Sequence, residues 1–313
     1  VIWRLPLNRG HNSGLWLYGN SGRFQQEKLA GACVNRMTIC SMTKVETHPE
    51  IRDAIRKLCG RFPGQYWRAL DRERAYPKDF VNALTEAGWL SVLIPEQYGG
   101  AGLGIGAACA VLEEIHRSGA NGAACHAQMY TMGTLLRHGS DAQKEKWLPK
   151  IASGEVRLQA FGVTEPTSGT DTTRIQTFAK KVGDKYVVNG SKIWISRAEH
   201  SDLMILLCRT SQRDEAGKAS DGMSVLLVDM REAKGKGLTI KPVRTMLNHA
   251  TTELFFDNME VPAENLIGKE GAGFKYIIDG MNAERILIAS ECIGDGKFFV
   301  DRASAYAKDR SVF

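Results

Sequence analysis

Two short segments combine small, hydroxylated and aromatic residues in an order that could bind a ligand. The first, residues 161–171, reads Phe-Gly-Val-Thr-Glu-Pro-Thr-Ser-Gly-Thr-Asp and begins at the end of an apolar run predicted to be a strand. Its turn would present backbone N–H groups and short side-chain donors to a flat or anionic ligand without steric hindrance. The same composition also fits an ordinary Thr-Glu-Pro turn, so this segment alone leaves both interpretations open.

The second segment, residues 192–197, reads Lys-Ile-Trp-Ile-Ser-Arg. Alternation along a strand would place Trp194 and Ser196 on one face. An indole ring followed two residues later by a hydroxyl suits a planar cofactor with a polar rim. Taken alone, such a segment is more often a core strand.

Other kinds of site find less support. The glycine-rich run at residues 100–106 has Ile105 where the G-x-G-x-x-G motif needs its last glycine, and no suitable acidic residue follows a second predicted strand. We therefore expect a turn between helices there rather than a dinucleotide-binding loop. The seven histidines form no H-x-x-x-H or Cys/His cluster, so no metal site is predicted. The seven cysteines form no C-x-x-C pair, which favours reduced structural thiols and a cytosolic location.

Composition limits the function classes further. The chain has 313 residues, 43% hydrophobic and 24% charged, as expected for a globular protein of two or three domains with a buried core. No apolar run approaches the ~18 residues that a membrane span requires. Of the net charge of +6, residues 1–41 contribute +4, from five basic residues against Glu27. The remaining +2 and the lack of a Lys/Arg block with aromatics argue against nucleic-acid binding.

The elements that must position these segments change character along the chain. Helical spacing of apolar residues predicts helices up to about residue 157, including one that Asp141 could cap and Gly154 could end. Strands are predicted from residue 158, with Asn189-Gly190 at the type I′ turn of a hairpin. Further strands are expected over residues 203–207, 224–229, 238–243 and 253–256, and the lack of helices between them argues against a parallel βαβ sheet. After Gly271 the helical period returns.

We therefore predict an α+β fold in four parts. Residues 1–41 would form a non-native or disordered extension, and residues 42–157 an N-terminal α-helical domain. Residues 158–270 would form a central, barrel-like β-sheet domain. Residues 271–313 would begin a C-terminal helical-bundle domain that is cut short.

Taken together, six motifs resemble the acyl-CoA dehydrogenase family, in chain order and from about residue 45 to the end. They are Ile94-Pro-Glu-Gln-Tyr-Gly-Gly-Ala-Gly-Leu-Gly, Phe161-Gly-Val-Thr-Glu-Pro-x-x-Gly-x-Asp, Asn189-Gly-Ser-Lys-Ile-Trp-Ile-Ser, Val261-Pro-Ala-Glu-Asn-Leu-Ile-Gly, Gly271-Ala-Gly-Phe and Arg310-Ser-Val-Phe. The helix, sheet, helix order agrees with that family's fold.

The resemblance implies an FAD-dependent enzyme that removes two hydrogens from an acyl-CoA thioester and yields a trans-2-enoyl-CoA. Motif positions would assign the cofactor site to Phe161, Val163, Thr164, Gly169, Thr170, Trp194, Ile195, Ser196 and Arg310, the last reaching the FAD of a neighbouring subunit. Thr170 would contact flavin phosphate or the acyl-CoA. Position 312 departs from the family, since it is valine where a hydroxyl residue is common.

The reaction also needs a carboxylate base. Asn282-Ala-Glu284-Arg285 matches the position that one branch of the family uses for it, and the resemblance makes Glu284 the candidate base with Asn282 and Arg285 as acyl-CoA contacts. In many other members the glutamate lies at a position that would fall beyond residue 313. Without the resemblance, Glu284 would be read as a solvated helix carboxylate in a local ion pair.

Further expectations follow from the resemblance. An electron-transfer flavoprotein would accept the electrons, and the protein would form a homotetramer, a dimer of dimers, in the cytoplasm or the mitochondrial matrix. Alternatives are an acyl-CoA oxidase or flavin hydroxylase of the same superfamily, or an inert truncated fragment.

Overall fold

The computed structural model describes residues 46–213 and 217–312, so the extension predicted for residues 1–41 lies outside the described residues. Helices come first, as predicted. They are α1 (Pro49–Cys59), α2 (Gly64–Glu73), α3 (Lys78–Glu86), α4 (Ile105–Arg117), α5 (Ala123–His138) and α6 (Asp141–Ser153). The glycine-rich run lies mainly in the loop that precedes α4, as expected for a turn between helices.

Helix α6 shows how local chemistry defines a helix end. Ser140 accepts a hydrogen bond from the backbone N–H of Gln143, whose side chain accepts one from the backbone N–H of Ser140 in return. This reciprocal pair satisfies two donors that the first helical turn leaves free. Asp141 is thus the first helical residue and not the cap, so that prediction was wrong by one residue, whereas Gly154 does end the helix at φ 79°.

Helix α5 differs from the others because it is buried on nearly every side. Its polar residues Gln128, Thr131 and Thr134 are fully buried along with its apolar ones. Thr131 donates to the carbonyl of Leu158 at 2.6 Å and so ties α5 to the first strand. A helix without a polar face is expected at the centre of a protein.

The central element is a mixed sheet. Its strands are β1 (Leu158–Gly162), β2 (Phe178–Val182), β3 (Lys185–Ser196), β4 (Leu203–Arg209), β5 (Met223–Asp229), β6 (Leu238–Pro242), β7 (Thr251–Pro262) and β8 (Leu266–Ile267). The order is β6-β7-β3-β2-β4-β5-β8, and β1 pairs with β4 in parallel. Most other pairs are antiparallel, which agrees with the predicted absence of a βαβ sheet.

The hairpin predicted at Asn189-Gly190 was wrong. Strand β3 passes straight through these residues and pairs with β7 on one side, and the tight turn lies earlier, at Gly183-Asp184 between β2 and β3. Gly190 sits instead at a bulge with φ 140°, where an added Cβ would lie 2.7 Å from Thr177. Close backbone approach explains this glycine better than a turn does.

A short helix, α7 (Met230–Ala233), follows β5. The long helix α8 (Gly273–Asp309) follows the sheet and packs against α4, α5 and β5. Gly280 and Gly294 are buried where α8 meets α5 and α4, respectively. In the described part of the chain no helix combines the length and the apolar character that a membrane span would need. Helix α5 lies in contact with both β1 and α8.

Candidate functional site

A buried ion pair joins the two segments that the sequence singles out. Lys192 is fully buried, and its Nζ lies 2.8 Å from Glu165 Oε1 and 2.9 Å from the carbonyl oxygen of Val163. Glu165 also accepts from the backbone N–H groups of Gln176 and Thr177. Burial alone would raise the pKa of Glu165, but Lys192 and these hydrogen bonds lower it below its ordinary value. The 161–171 loop is thereby fixed to strand β3.

The backbone of β3 is irregular at Trp194, two residues after Lys192. Ile193 N–H donates to the carbonyl of Thr164 at 2.9 Å. Between Lys192 and Ile195, two residues of β3 then oppose one residue of β7. Trp194 takes the left-handed conformation at φ 63° and is 57% exposed. Simple alternation is therefore wrong here, although Trp194 and Ser196 are both more exposed than Ile195.

Two short donors belong to the backbone segments next to the exposed indole: Ser196 is two residues further along β3, and the carbonyl of Thr164 accepts from Ile193 N–H. Thr164 and Ser196 are half-buried, and within the described residues neither hydroxyl has a hydrogen-bond partner. Phe161 is half-buried at the end of β1, and Val163 is buried. An exposed aromatic face with two free hydroxyls nearby is suited to a planar, polar-rimmed cofactor.

The other residues predicted from the motifs are more dispersed. Gly169 and Thr170 are exposed on the loop beyond Glu165. Asn282 and Arg285 are exposed on α8, where Arg285 donates to Asn282 Oδ1 at 2.8 Å. Arg310 is exposed just after α8, 5.9 Å from the centre of the Tyr306 ring.

Tyr130 links Glu284 to the candidate cofactor loop, because the charge of Glu284 acts on Tyr130 and the Tyr130 ring packs on Phe161. The Tyr130 ring meets Phe161 edge to face at 5.2 Å, and burial together with the charge of Glu284 raises the pKa of Tyr130. Burial also raises the pKa of Glu284, while His126 and Arg285 oppose that rise. A carboxylate whose charged form is poorly solvated is more ready to take up a proton than an ordinary surface glutamate.

Two histidines hold a second carboxylate further along α8. Glu291 Oε1 lies 2.9 Å from His126 Nδ1 and 3.6 Å from His116 Nε2, and His116 Nδ1 lies 3.0 Å from Asp295. Burial would raise the pKa of Glu291, but the histidines lower it to about 2. Burial lowers and the two carboxylates raise the pKa of His116, with a net rise. Glu291 is thus an anion already balanced by its neighbours.

Arg197, the residue after Ser196, is buried without such a balance. It is 8% exposed and takes a left-handed φ of 58°. Its guanidinium has one side-chain hydrogen-bond partner among the described residues, His249 Nδ1 at 3.5 Å. Burial lowers its pKa, while Tyr130, Tyr76 and Glu291 raise it without offsetting that effect. Non-glycine residues in this conformation concentrate at functional sites.

A cavity of about 540 Å³ opens between α2, α4, α8 and the loop that carries His249. Its wall includes Ile288, Glu291 and Asp295 of α8 together with His116 of α4. A smaller recess of about 20 Å³ shares Asn121, Asn248 and His249 with the cavity, and Arg197 lines that recess.

Sequence reasoning missed Tyr130, His126 and the Glu165–Lys192 pair. The pair lies inside the two quoted motifs, so two charged residues within otherwise small and apolar segments were an available signal. Tyr130 and His126 gave no sequence signal, because their roles depend on α8, which lies far along the chain. His126 and its partner Glu291, for example, are more than 150 residues apart in sequence.

Comparisons with known proteins identify the family to which this chain is similar. The family model for the N-terminal domain of acyl-CoA dehydrogenase matches residues 45–155, and the model for its middle domain matches residues 160–259. The chain is 35% identical over 272 residues to the glutaryl-CoA dehydrogenase of Desulfococcus multivorans, covering 84% of this chain and 67% of that protein.

Solved structures give the same result. An acyl-CoA dehydrogenase from Geobacillus kaustophilus superposes with a TM-score of 0.78 at 30% identity, covering 86% of this chain and 70% of that one. A chain from the structure of the electron transferring flavoprotein of Acidaminococcus fermentans superposes with a TM-score of 0.76 at 30% identity, covering 84% and 69%.

Proposed function

The chain belongs to the acyl-CoA dehydrogenase family of oxidoreductases, which act on CH–CH groups, and from this premise we propose an FAD-dependent enzyme that converts an acyl-CoA to its trans-2-enoyl-CoA. The observation that carries the proposal is the position of Glu284. Burial raises the pKa of this carboxylate, and its charge acts on Tyr130, whose ring packs on Phe161 of the candidate cofactor loop.

The residues present fit FAD. The exposed Trp194, the two hydroxyls without partners at Thr164 and Ser196, and the fixed loop between them form a surface for an isoalloxazine ring and its polar edge. Phe161, Val163 and Ile195 would complete the apolar side, and Gly169 and Thr170 would approach the phosphates or the acyl-CoA. When bound, FAD supplies the two-electron acceptor to which the β-hydrogen of the acyl group passes as hydride.

Glu284 is the proposed base for the α-proton. A long helix gives the carboxylate a rigid mount, so the substrate's α and β carbons can lie between it and the cofactor surface. Its raised pKa brings it closer to the range in which a carboxylate both accepts and releases a proton. Asn282 and Arg285, exposed on the same helix, would contact the acyl-CoA.

The test is Glu284→Gln in the FAD-loaded enzyme, with Asp301→Asn on the exposed face of α8 as the matched control. We expect Glu284→Gln to keep its flavin and its affinity for acyl-CoA by calorimetry, while anaerobic flavin reduction by acyl-CoA slows at least ~100-fold. The control should reduce at the wild-type rate. Wild-type reduction in Glu284→Gln would assign the base to another carboxylate.

The electron acceptor and the assembly complete the proposal. We propose an electron-transfer flavoprotein as acceptor, which slow reoxidation of the reduced enzyme by air would support and rapid reoxidation would contradict. We also propose a homo-oligomer in which Arg310 reaches the FAD of a neighbouring subunit. In support, α8 exposes large apolar side chains on the described chain, namely Ile286, Ile288, Ile293, Phe299, Val300 and Tyr306.

A further inference from the structure

Arg197 is a buried cation without an ion-pair partner in the described chain. Within the described chain no carboxylate lies within 4.0 Å of its guanidinium, and His249 Nδ1 at 3.5 Å is its one side-chain hydrogen-bond partner. A guanidinium carries five N–H donors, and burying it without an anion costs free energy. The contrast with Arg209 is informative, because that equally buried side chain donates to the carbonyls of Thr173, Ile175, Ala219 and Asp221.

The surroundings of Arg197 are held in place by other contacts. Tyr76 donates to Gln159 and stacks on His200 at 4.2 Å, so its hydroxyl is already engaged. Asn248 donates to the carbonyls of Leu70 and Ala75, which fixes the loop that carries His249. The recess lined by Arg197 is therefore preformed, and its volume of about 20 Å³ suits roughly one water-sized group.

The charges around the adjoining cavity leave Arg197 free to bind an anion. Glu291 and Asp295 on α8 are paired with His116 and His126, and Asp71 on α2 is exposed. Arg197 is the one permanently charged cation among the described residues that line the cavity and its recess. An incoming carboxylate would thus meet a single unpaired guanidinium.

The cavity also lies where an acyl chain would extend. Its α8 wall starts at Ile288 and continues through Glu291, four and seven residues beyond Glu284. At ~1.5 Å of rise per residue, the wall begins about 6 Å from the proposed base along the helix, passes Glu291 at about 10 Å and continues to Asp295. Ile288 and Glu291 lie four and seven residues after Glu284, on the same face of α8, so an acyl chain that runs along this face from Glu284 would reach the cavity.

We propose that Arg197, assisted by His249, binds a carboxylate at the far end of the acyl group, so that the substrate class is a dicarboxylic acyl-CoA thioester. This inference rests on the proposed function, because it takes the acyl chain to enter from Glu284. One carboxylate oxygen occupies the recess while the chain fills the larger cavity. The guanidinium recognises a carboxylate through paired, charge-assisted hydrogen bonds.

The experiment compares acyl-CoAs of equal carbon number in the FAD-loaded enzyme. Glutaryl-, adipyl- and suberyl-CoA are each paired with pentanoyl-, hexanoyl- and octanoyl-CoA, and kcat/KM for anaerobic flavin reduction is measured with each. We expect the dicarboxylic member of the best pair to be preferred by about 10- to 100-fold, the range for a hydrogen bond to a charged group. In Arg197→Met that ratio should fall to about one. Arg209→Met, the matched buried arginine, should keep the wild-type ratio.

Other outcomes are also decisive. A wild-type ratio of one or less for every pair, with flavin reduction intact, overturns this inference and leaves the proposed function standing. If no acyl-CoA reduces the flavin, the proposed function fails, and binding measured by calorimetry tests the inference instead. Tighter binding of adipyl-CoA than of hexanoyl-CoA that is lost without Arg197 supports the inference. Equal binding of the two overturns it. Should Arg197→Met not fold, Arg197→Lys replaces it and should lower the ratio, because lysine cannot bind a carboxylate through two parallel donors.

Discussion

Lys192 and Arg197 lie five residues apart on the same stretch of chain, and both cations are buried, yet their surroundings are opposite. Lys192 has Glu165 and the carbonyl of Val163 within 2.9 Å, while Arg197 has His249 at 3.5 Å. A buried charge that is fully partnered holds a structure together, whereas one without an anion lowers the stability of the free protein. The difference indicates that Lys192 stabilises the fold of the site, whereas Arg197 has a role in binding a ligand.

The backbone supports the same distinction. Lys192 is paired with Leu254 of β7, whereas Arg197 lies just after the strand at φ 58°, in a conformation that costs a non-glycine residue about 1 kcal/mol or more. The backbone conformation and the unpaired charge of Arg197 therefore both lower the stability of the folded protein. Variants at the two positions should therefore change stability in opposite directions.

The largest effect is expected from Lys192→Met. The substitution leaves the Glu165 carboxylate buried with its backbone donors but without its cation, and breaking a buried pair in this way costs about 3–5 kcal/mol. The unfolding midpoint in urea should fall accordingly, and flavin content should fall with it, because the 161–171 loop loses its anchor. The double variant Lys192→Met with Glu165→Gln should recover part of the stability. A stable single variant with full flavin content would show that the pair does not hold the loop.

A smaller effect of opposite sign is expected from Arg197→Met. The methionine removes a desolvated charge and keeps an unbranched side chain, so the flavin-free protein should gain about 1–2 kcal/mol of stability in urea unfolding. Stability that rises when a residue is removed is typical of functional sites. Arg209→Met is the control and should lose stability, since it leaves several buried carbonyls without donors. Destabilisation by Arg197→Met would mean that Arg197 has a structural partner.

Strand β3 shows where sequence reasoning reached its limit on the fold. Asn-Gly is the strongest short-range hairpin signal, yet Asn189-Gly190 runs through the middle of β3. Strand β7 opposes β3 from Lys185 to Ser196, and those many long-range pairs outweigh a local turn preference. The order of helices, sheet and helix could be predicted, because it depends on the period of apolar residues within each segment.

Some residues of the candidate site could likewise be predicted from the sequence, and others could not. Trp194, Ser196 and Phe161 could be selected from residue type and spacing, and Glu284 from the family motif. Tyr130 and the cavity could not, because they arise only when α5, α8 and the His249 loop come together. Arg197 stood inside a quoted segment, but its lack of a partner is a tertiary property that no local pattern encodes.

The smallest effect, and the sharpest test of the comparison, is the response of stability to acid. Lys192 and the backbone donors lower the pKa of Glu165 despite its burial, so the unfolded chain takes up a proton near the ordinary value of 4.5 before the folded chain does. This contribution to stability is fully present above pH 4.5 and is lost as pH falls through the folded pKa. In Lys192→Met the cation that lowered the pKa of Glu165 is gone, so burial raises that pKa above the ordinary value of 4.5 in the folded protein. The contribution of Glu165 then changes sign, and protonation at lower pH favours folding. Arg197→Met should keep the wild-type acid profile, because no carboxylate loses an ion-pair partner. Urea midpoints of the three proteins between pH 7 and pH 3 check this, and an Arg197→Met profile that followed Lys192→Met would contradict the assignment of Arg197 as unpaired.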